Sequence, residues 1–344
     1  MKAMLWKGLD DLAYIDLPEP ECKPGWVKIK VMAVGLCATE VHIVTRKFYG
    51  GEPPHVLGHE ICGQIVDIGE GCDETLCGKR VVVETYVGCG VCEFCRTGRK
   101  HLCSAGEIGY PPYNGGHAQY VTVPASCVHE IPDSISYDEG AIMEAVACPF
   151  GALLSSGFQM GETVLIQGVG VAGLSFVQAA HAAGAGHIFC TVRNDVRTEI
   201  AKNFGAEVID LRCHDAVEYI LEKTNGRGVD LAIDAAGAPV TIEQCFKAVK
   251  SGGLVMLYGI PDASLSVNLP VTDCILRQIR MCGYTGNEWG WDPLIKLVDR
   301  GAISLKEMVS KVMPLSKMSE AVDLLRHSNP HLIKIVLHPW EEEQ

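Results

Sequence analysis

From about Gly151 to Tyr284 the 344-residue chain alternates short apolar runs with helical ones. Thr163 to Gln167, His187 to Val192, Glu207 to Asp210, Val229 to Asp234, Leu254 to Tyr258 and Ile279 to Tyr284 read as strands. Ala172 to Ala183, Val196 to Phe204 and Thr241 to Val249 read as helices. Alternation at this spacing predicts a doubly wound α/β unit, a parallel sheet covered by helices on both faces. The first strand runs into Gly168-Val169-Gly170-Val171-Ala172-Gly173, a G-x-G-x-x-G turn that opens a helix. The glycines Gly168, Gly170 and Gly173 then make the tight turn, admit a pyrophosphate and let helix and strand pack. Unpaired N–H groups at the helix start favour the anion. Such a turn alone can be mere compaction, but between two βαβ units it reads as a dinucleotide site.

The second strand indicates which dinucleotide. An NAD site wants Asp or Glu at that strand's end, to accept from the ribose 2′-hydroxyl. Val192 stands there, followed by Arg193, with Arg197 one turn on. Arginine suits a 2′-phosphate that a carboxylate would repel. The expectation is therefore NADP(H), with NAD(H) the alternative if Arg193 is a solvated surface residue and Asp195 serves the ribose.

Upstream the rhythm differs. Val27 to Val34, Ile61 to Ile68, Arg80 to Glu84 and Gly116 to Pro124 read as strands between proline- and glycine-rich loops. Helix is expected only after Cys37 and around Tyr137 to Ala147. The chain is too long for one ordinary core. The expected division is a mainly β domain over 1–150, a dinucleotide domain over 151–287, and a segment over 288–344. In that last segment the strand Leu332 to Leu337 should return to the first domain. A formal charge of −13 argues against a nucleic-acid surface. No apolar stretch reaches membrane-span length, and the charged N-terminus does not read as a signal peptide. Most of the 16 cysteines are scattered through apolar runs as free thiols, which points to a reducing, cytoplasmic setting.

Four cysteines break that scatter. Cys89, Cys92, Cys95 and Cys103 lie in G-C-G-V-C-E-F-C-R-T-G-R-K-H-L-C, a lobe over 89–103. Four thiolates suit a structural zinc and leave no open position for a substrate. The gap before Cys103 and the absence of a following proline disfavour an iron–sulfur cluster. Further upstream, Cys37, His59 and Glu60 are possible ligands of an open zinc site. Their spacing alone leaves Cys37 open to being an ordinary buried thiol.

Together these motifs resemble the zinc-containing medium-chain alcohol and polyol dehydrogenases, over almost the whole chain. The marks are Gly35 to His42, with Glu40 where aspartate is usual, then Gly58-His59-Glu60, the four-cysteine lobe and the Gly168 to Gly173 turn. The resemblance implies a GroES-like catalytic domain, a Rossmann domain and an active site in the cleft between them. It implies two zinc ions per subunit, one structural and one catalytic. Cys37 and His59 would bind the catalytic ion. Glu144 takes the third place, as in the polyol and threonine branch, with Cys148 as the fallback, and Glu60 acts as a direct or intermittent ligand. Thr39 would be the first proton carrier and His42 the next. Thr39 as a helix cap and His42 as a plain surface histidine are the simpler alternatives.

The reaction implied is reversible hydride transfer between a polyol-like secondary alcohol and NADP(H). The alternatives are bulky apolar alcohols or ketones, including hydroxysteroids, and a threonine dehydrogenase-like activity with NAD(H). Phe48, Tyr49, Tyr110, Tyr113, Trp289 and Trp291 would favour the apolar alternative if they packed into one wall. Arg46 and Lys47 are the one basic pair nearby. The edge strand Ile279 to Tyr284 should pair across a two-fold, giving a homodimer or homotetramer.

Overall fold

Val27, Ile29, Val31 and Ala33 alternate with less buried residues, including Lys28 and Lys30, along an 11-residue strand at the centre of one sheet. The computed structural model describes residues 1–46, 51–261, 264–287, 289–326, 329 and 331–341. Two units separate within it, Met1–Ala147 with Trp291–Gln344, and Cys148–Gly290.

The first unit begins with β1 (Lys2–Gly8), β2 (Asp11–Asp16), β3 (Trp26–Leu36), β4 (Glu60–Ile68), β5 (Arg80–Val83), β6 (Tyr120–Pro124) and β7 (Val128–Glu130). The second holds β8 (Thr163–Gln167), β9 (His187–Val192), β10 (Glu207–Asp210), β11 (Val229–Asp234), β12 (Val249–Leu257) and β13 (Arg280–Gly283). The chain then returns to the first unit with β14 (Val309–Pro314) and β15 (Lys334–His338).

In the first unit the order is β14-β15-β3-β4-β5-β7, with β6 also on β3. This is the GroES-like β domain. β15 runs antiparallel to β3, pairing Ile335 with Leu36 and Leu337 with Val34. That pairing brings Lys334 to the end of β3 just before Cys37. The second unit is a six-stranded sheet in the order β10-β9-β8-β11-β12-β13, parallel throughout. It is Rossmann-like. The single helix expected over Tyr137 to Ala147 is two. Ser136 and Glu139 form a capping box on Tyr137–Gly140, and a second helix, Met143–Ser155, runs on through Pro149.

The returning strand is fastened by charge as well as by its ladder. His338 Nε2 lies 2.6 Å from Asp138, and Nδ1 lies 2.8 Å from Glu341. The bond to Asp138 outweighs burial, and with Glu341 it lifts the imidazole from 6.5 to about 8. A histidine pKa raised by folding adds stability that is complete below the unfolded pKa and is lost as pH rises through the folded one. The shift corresponds to about 2 kcal/mol. His338→Ala should therefore lower the denaturation midpoint clearly near about pH 6 and much less near about pH 9. An equal loss at both would mean that the imidazolium is not the source.

Candidate metal centres and cofactor turn

The four lobe sulfurs lie within 4.8 Å of one another. Backbone N–H groups point at them: Cys92 N donates to Cys89 Sγ at 3.4 Å, and Cys95 N to Cys92 Sγ at 3.4 Å. Hydrogen bonds from Val91 and Cys92 bring the Cys89 thiol down to about 6, while desolvation and the neighbouring sulfurs push Cys95 up to about 11, so an ion is needed to hold all four as thiolates. Thiolates, not thiols, bind metals, so this turn suits a tetrahedral ion. Lys100 fastens the lobe to the β unit through Glu84, at 2.8 Å, and Glu84 also meets His129 at 3.1 Å.

A second cluster lies at the ends of β3 and β4. Ligand atoms of Cys37, His59 and Glu60 fall within 4.8 Å of one another. Cys37 is half-buried, while His59 and Glu60 are buried. A Cβ at Gly35 would run into the Glu60 carboxylate, so that position has no room for a side chain. Glu60 Oε1 pairs with Lys334 Nζ at 2.5 Å, and Oε2 is buried without a partner among the described residues. A carboxylate oxygen left bare in the interior costs free energy unless a cation reaches it. Sulfur, imidazole and a bare carboxylate oxygen are a donor set that fits zinc.

Glu40 organises this cluster. It is fully buried, and Oε2 accepts from Cys37 N at 3.1 Å. Oε1 accepts from His59 N at 3.2 Å and faces His59 Nδ1 at 2.9 Å. Burial would raise its carboxyl, but the imidazoles of His117 and His59 hold it well below the usual range. A carboxylate on Nδ1 fixes the ring and leaves Nε2 for a metal. Burial lowers His59, yet Tyr110, Glu40 and Cys37 keep its pKa well above the ordinary value. The Tyr110 hydroxyl lies 3.3 Å from the same Nδ1.

Glu144 stands outside the compact set. Its Oε1 accepts from Thr85 Oγ1 at 3.0 Å. Burial pushes its carboxyl up to about 7, with His59 pulling down and Glu60 pushing up, so it is close enough to feel both. Cys148, one turn on, is half-buried and likewise outside the set. Thr39 and His42, both half-buried, share a face of the helix Ala38–Arg46 that follows Cys37.

Among the described residues, the aromatic side chains have separate ring partners. Tyr110 stacks on His59 with centroids 5.6 Å apart, Tyr113 meets Trp26 at 5.7 Å, and buried Trp291 stacks on His129 at 4.7 Å. Trp289 is exposed. Lys47, Phe48 and Tyr49 lie outside the described residues, as does the side chain of Arg46.

In the second unit the turn after β8 is tied down by Thr191. Gly168 N donates to Thr191 Oγ1 at 3.0 Å, and that hydroxyl donates to Gln167 at 2.8 Å. A Cβ at Gly173 would strike the Gly168 carbonyl, whereas one at Gly170 would meet nothing within 4 Å. The open side of Gly170 suits a diphosphate, and the helix Val171–Ala182 starts there. At the end of β9, Val192 is buried, Arg193 is exposed, and Arg197 is turned inward far enough that burial lowers its pKa. The neighbouring strand supplies acid. Asp210 lies in register beside Val192, and Arg212 bridges it at 2.6 Å to Asp195 at 2.5 Å.

The chain is similar to known proteins over nearly its whole length. The family model for the alcohol dehydrogenase GroES-like domain matches residues 23–133, and that for zinc-binding dehydrogenases matches residues 170–300. Sorbitol dehydrogenase of Bacillus subtilis is 34% identical, over 98% of this chain and 97% of its own length. The chain belongs to the zinc-binding medium-chain dehydrogenases. L-threonine 3-dehydrogenase of Pyrococcus abyssi is 32% identical over 92% of each chain. A solved zinc-binding dehydrogenase from Sinorhizobium meliloti 1021, bound to NADP, superposes with a TM-score of 0.91 at 31% identity, covering 98% of this chain and 99% of that one. The protein is accordingly an NAD(P)-dependent, zinc-binding oxidoreductase of the alcohol and polyol type.

Several supports of this dehydrogenase's sites went unread in the sequence. They are His117, Lys334 and Thr85 around the metal cluster, and Thr191 and Asp210 around the cofactor turn, while Tyr110, expected in a substrate wall, lies on His59. Glu40 stood out as a departure from aspartate, which was the one available signal for a rearranged shell.

Proposed function

We propose that the dehydrogenase reversibly oxidises a secondary alcohol flanked by a second polar group, as in a polyol or an amino alcohol such as threonine, with NAD(H) as redox partner. The Cys37, His59 and Glu60 cluster carries this reading, with buried Glu144 beside it. The polar flanking group follows the relatives, a sorbitol dehydrogenase and an L-threonine 3-dehydrogenase by name. The dispersed packing of Tyr110, Tyr113 and Trp291 lends no support to a steroid-sized wall.

Cys37 and His59 would hold the catalytic zinc, with Glu60 and Glu144 completing or tuning its shell, and the four-cysteine lobe would hold a structural one. Bound there, zinc supplies a Lewis acid that stabilises negative charge on the substrate oxygen. Thr39 would take the hydroxyl proton and hand it towards His42, whose imidazole can both accept and donate. Gly168 to Gly173 fixes the dinucleotide by its diphosphate.

NAD(H) is favoured by charge. Around the end of β9, Asp210 lies in register beside Val192 and, with Asp195, engages Arg212, so two carboxylates lie where they would oppose a 2′-phosphate, against Arg193 and Arg197 that would favour it. NADP(H) is the second reading, favoured by Val192 and exposed Arg193. We further read the protein as a cytoplasmic homodimer or homotetramer. β13 ends the sheet, and Val271, Ile275, Leu276 and Met281 are exposed near that edge.

A panel of polyols, threonine, simple secondary alcohols and hydroxysteroids, each with NAD⁺ and NADP⁺, tests the proposal. Activity with the polar-flanked alcohols and a higher kcat/KM for NAD⁺ is expected. Arg193→Ala should leave the NAD⁺ reaction within a few-fold. A wild-type preference for NADP⁺ that Arg193→Ala abolishes would establish the second reading. Activity confined to steroids or primary alcohols would sink the substrate claim.

A further inference from the structure

We propose that His117 is a positioning residue for the metal-binding imidazole of His59, acting through Glu40. The inference rests on the reading of Cys37 and His59 as metal ligands.

His117 is fully buried, and its Nε2 lies 3.1 Å from Glu40 Oε2. Nδ1 is buried without a partner among the described residues. The proton therefore sits on Nε2 and is donated to Glu40. Glu40 Oε2 also accepts from Cys37 N at 3.1 Å, while Oε1 serves His59 N and Nδ1. One carboxylate thus links both first-named ligands, and His117 anchors it through Oε2, the oxygen that does not meet His59.

Glutamate is the reason such an anchor is needed. It carries one more methylene than the aspartate usual at this place, and with it one more rotatable bond. A longer arm reaches His59 but is less fixed. A donor on Oε2 restores a single orientation. The anchor is itself held rigidly. His117 N donates to Leu57 O at 3.0 Å, Gly116 N donates to Gly58 O at 2.7 Å, and Met4 N donates to His117 O at 2.8 Å. Gly58 has a φ of +107°, and a Cβ there would sit 2.6 Å from His117 N and 3.0 Å from its Cγ. The glycine of the Gly58-His59-Glu60 motif is therefore what lets the His117 segment close on the residues just before the ligand.

The test compares wild type with His117→Phe, which fills the space without a donor, and His117→Gln, whose amide nitrogen can take the place of Nε2. Metal content and release to a chelator are followed, with the four-cysteine lobe as the internal control. In cobalt-substituted protein the visible and thiolate charge-transfer bands report the Cys37 and His59 shell. His117→Phe should keep the lobe metal and lose the other about 10–100-fold faster, with altered cobalt bands. His117→Gln should recover most of both readouts. If His117→Phe does not fold, His117→Asn, polar but too short to reach Glu40, should show the same selective loss. Wild-type release rates and bands in the folded Phe or Asn variant would overturn the proposal, as would rescue by Phe but not by Gln. A wild-type protein with metal only in the lobe would instead refute the underlying ligand reading, and the role of His117 with it.

Discussion

Cys37→Ala is expected to lower turnover by roughly a thousandfold or more while the chain stays folded and its four-cysteine lobe stays loaded. The lost group would be one of two strong ligands of the open site, and Lewis-acid stabilisation of the substrate oxygen contributes several kcal/mol to such a reaction. Each 1.4 kcal/mol or so is a factor of ten in rate. The fold should survive because Cys37 is only half-buried and lies just after β3, outside the ladder. Steady-state kinetics on protein of checked circular dichroism decides it. A loss below tenfold would remove Cys37 from the metal shell.

Lys334→Met should destabilise the first unit by about 3–5 kcal/mol. Lys334 is 3% exposed, and its ammonium pairs with fully buried Glu60 and also reaches Leu36 O at 3.4 Å. Burial would lower its pKa, but Glu60, Cys37 and Glu40 raise it, so the side chain is a cation in an acidic interior. Methionine fills similar space and leaves Glu60 charged and alone. The denaturant midpoint of chelator-treated protein measures the loss. Adding Glu60→Gln should return much of it, because coupled neighbours are not additive. If the double variant is as unstable as the two single losses together, the pair does not act as a unit.

What the sequence made legible was local. Strand alternation, the glycine turn and the cysteine spacing each lie within a few residues, and period 2, φ > 0 glycines and N–H···S turns leave local marks. β8 to β11 stand at or near the runs that Thr163 to Asp234 announce. The helix Ala216–Lys223 carries an equally local signal in its Asp215 cap. The supports of the metal cluster are different in kind. His117 is 77 residues from Glu40, and Lys334 is 274 residues from Glu60. No periodicity marks a partner that only the β15–β3 pairing or the Gly58 approach brings near. Cofactor choice has a non-local part for the same reason. Val192 and Arg193 announce a phosphate site, while Asp210 enters beside them from the next strand.

Counting metal tests the central claim most directly. Zinc is measured per chain in wild type and Cys37→Ala, both purified without chelator, alongside activity. The account predicts two ions in wild type and one in the variant, the retained ion being the one that Cys89, Cys92, Cys95 and Cys103 surround, with activity lost alongside the other. A single ion in fully active wild type, or an unchanged count in Cys37→Ala, would contradict it.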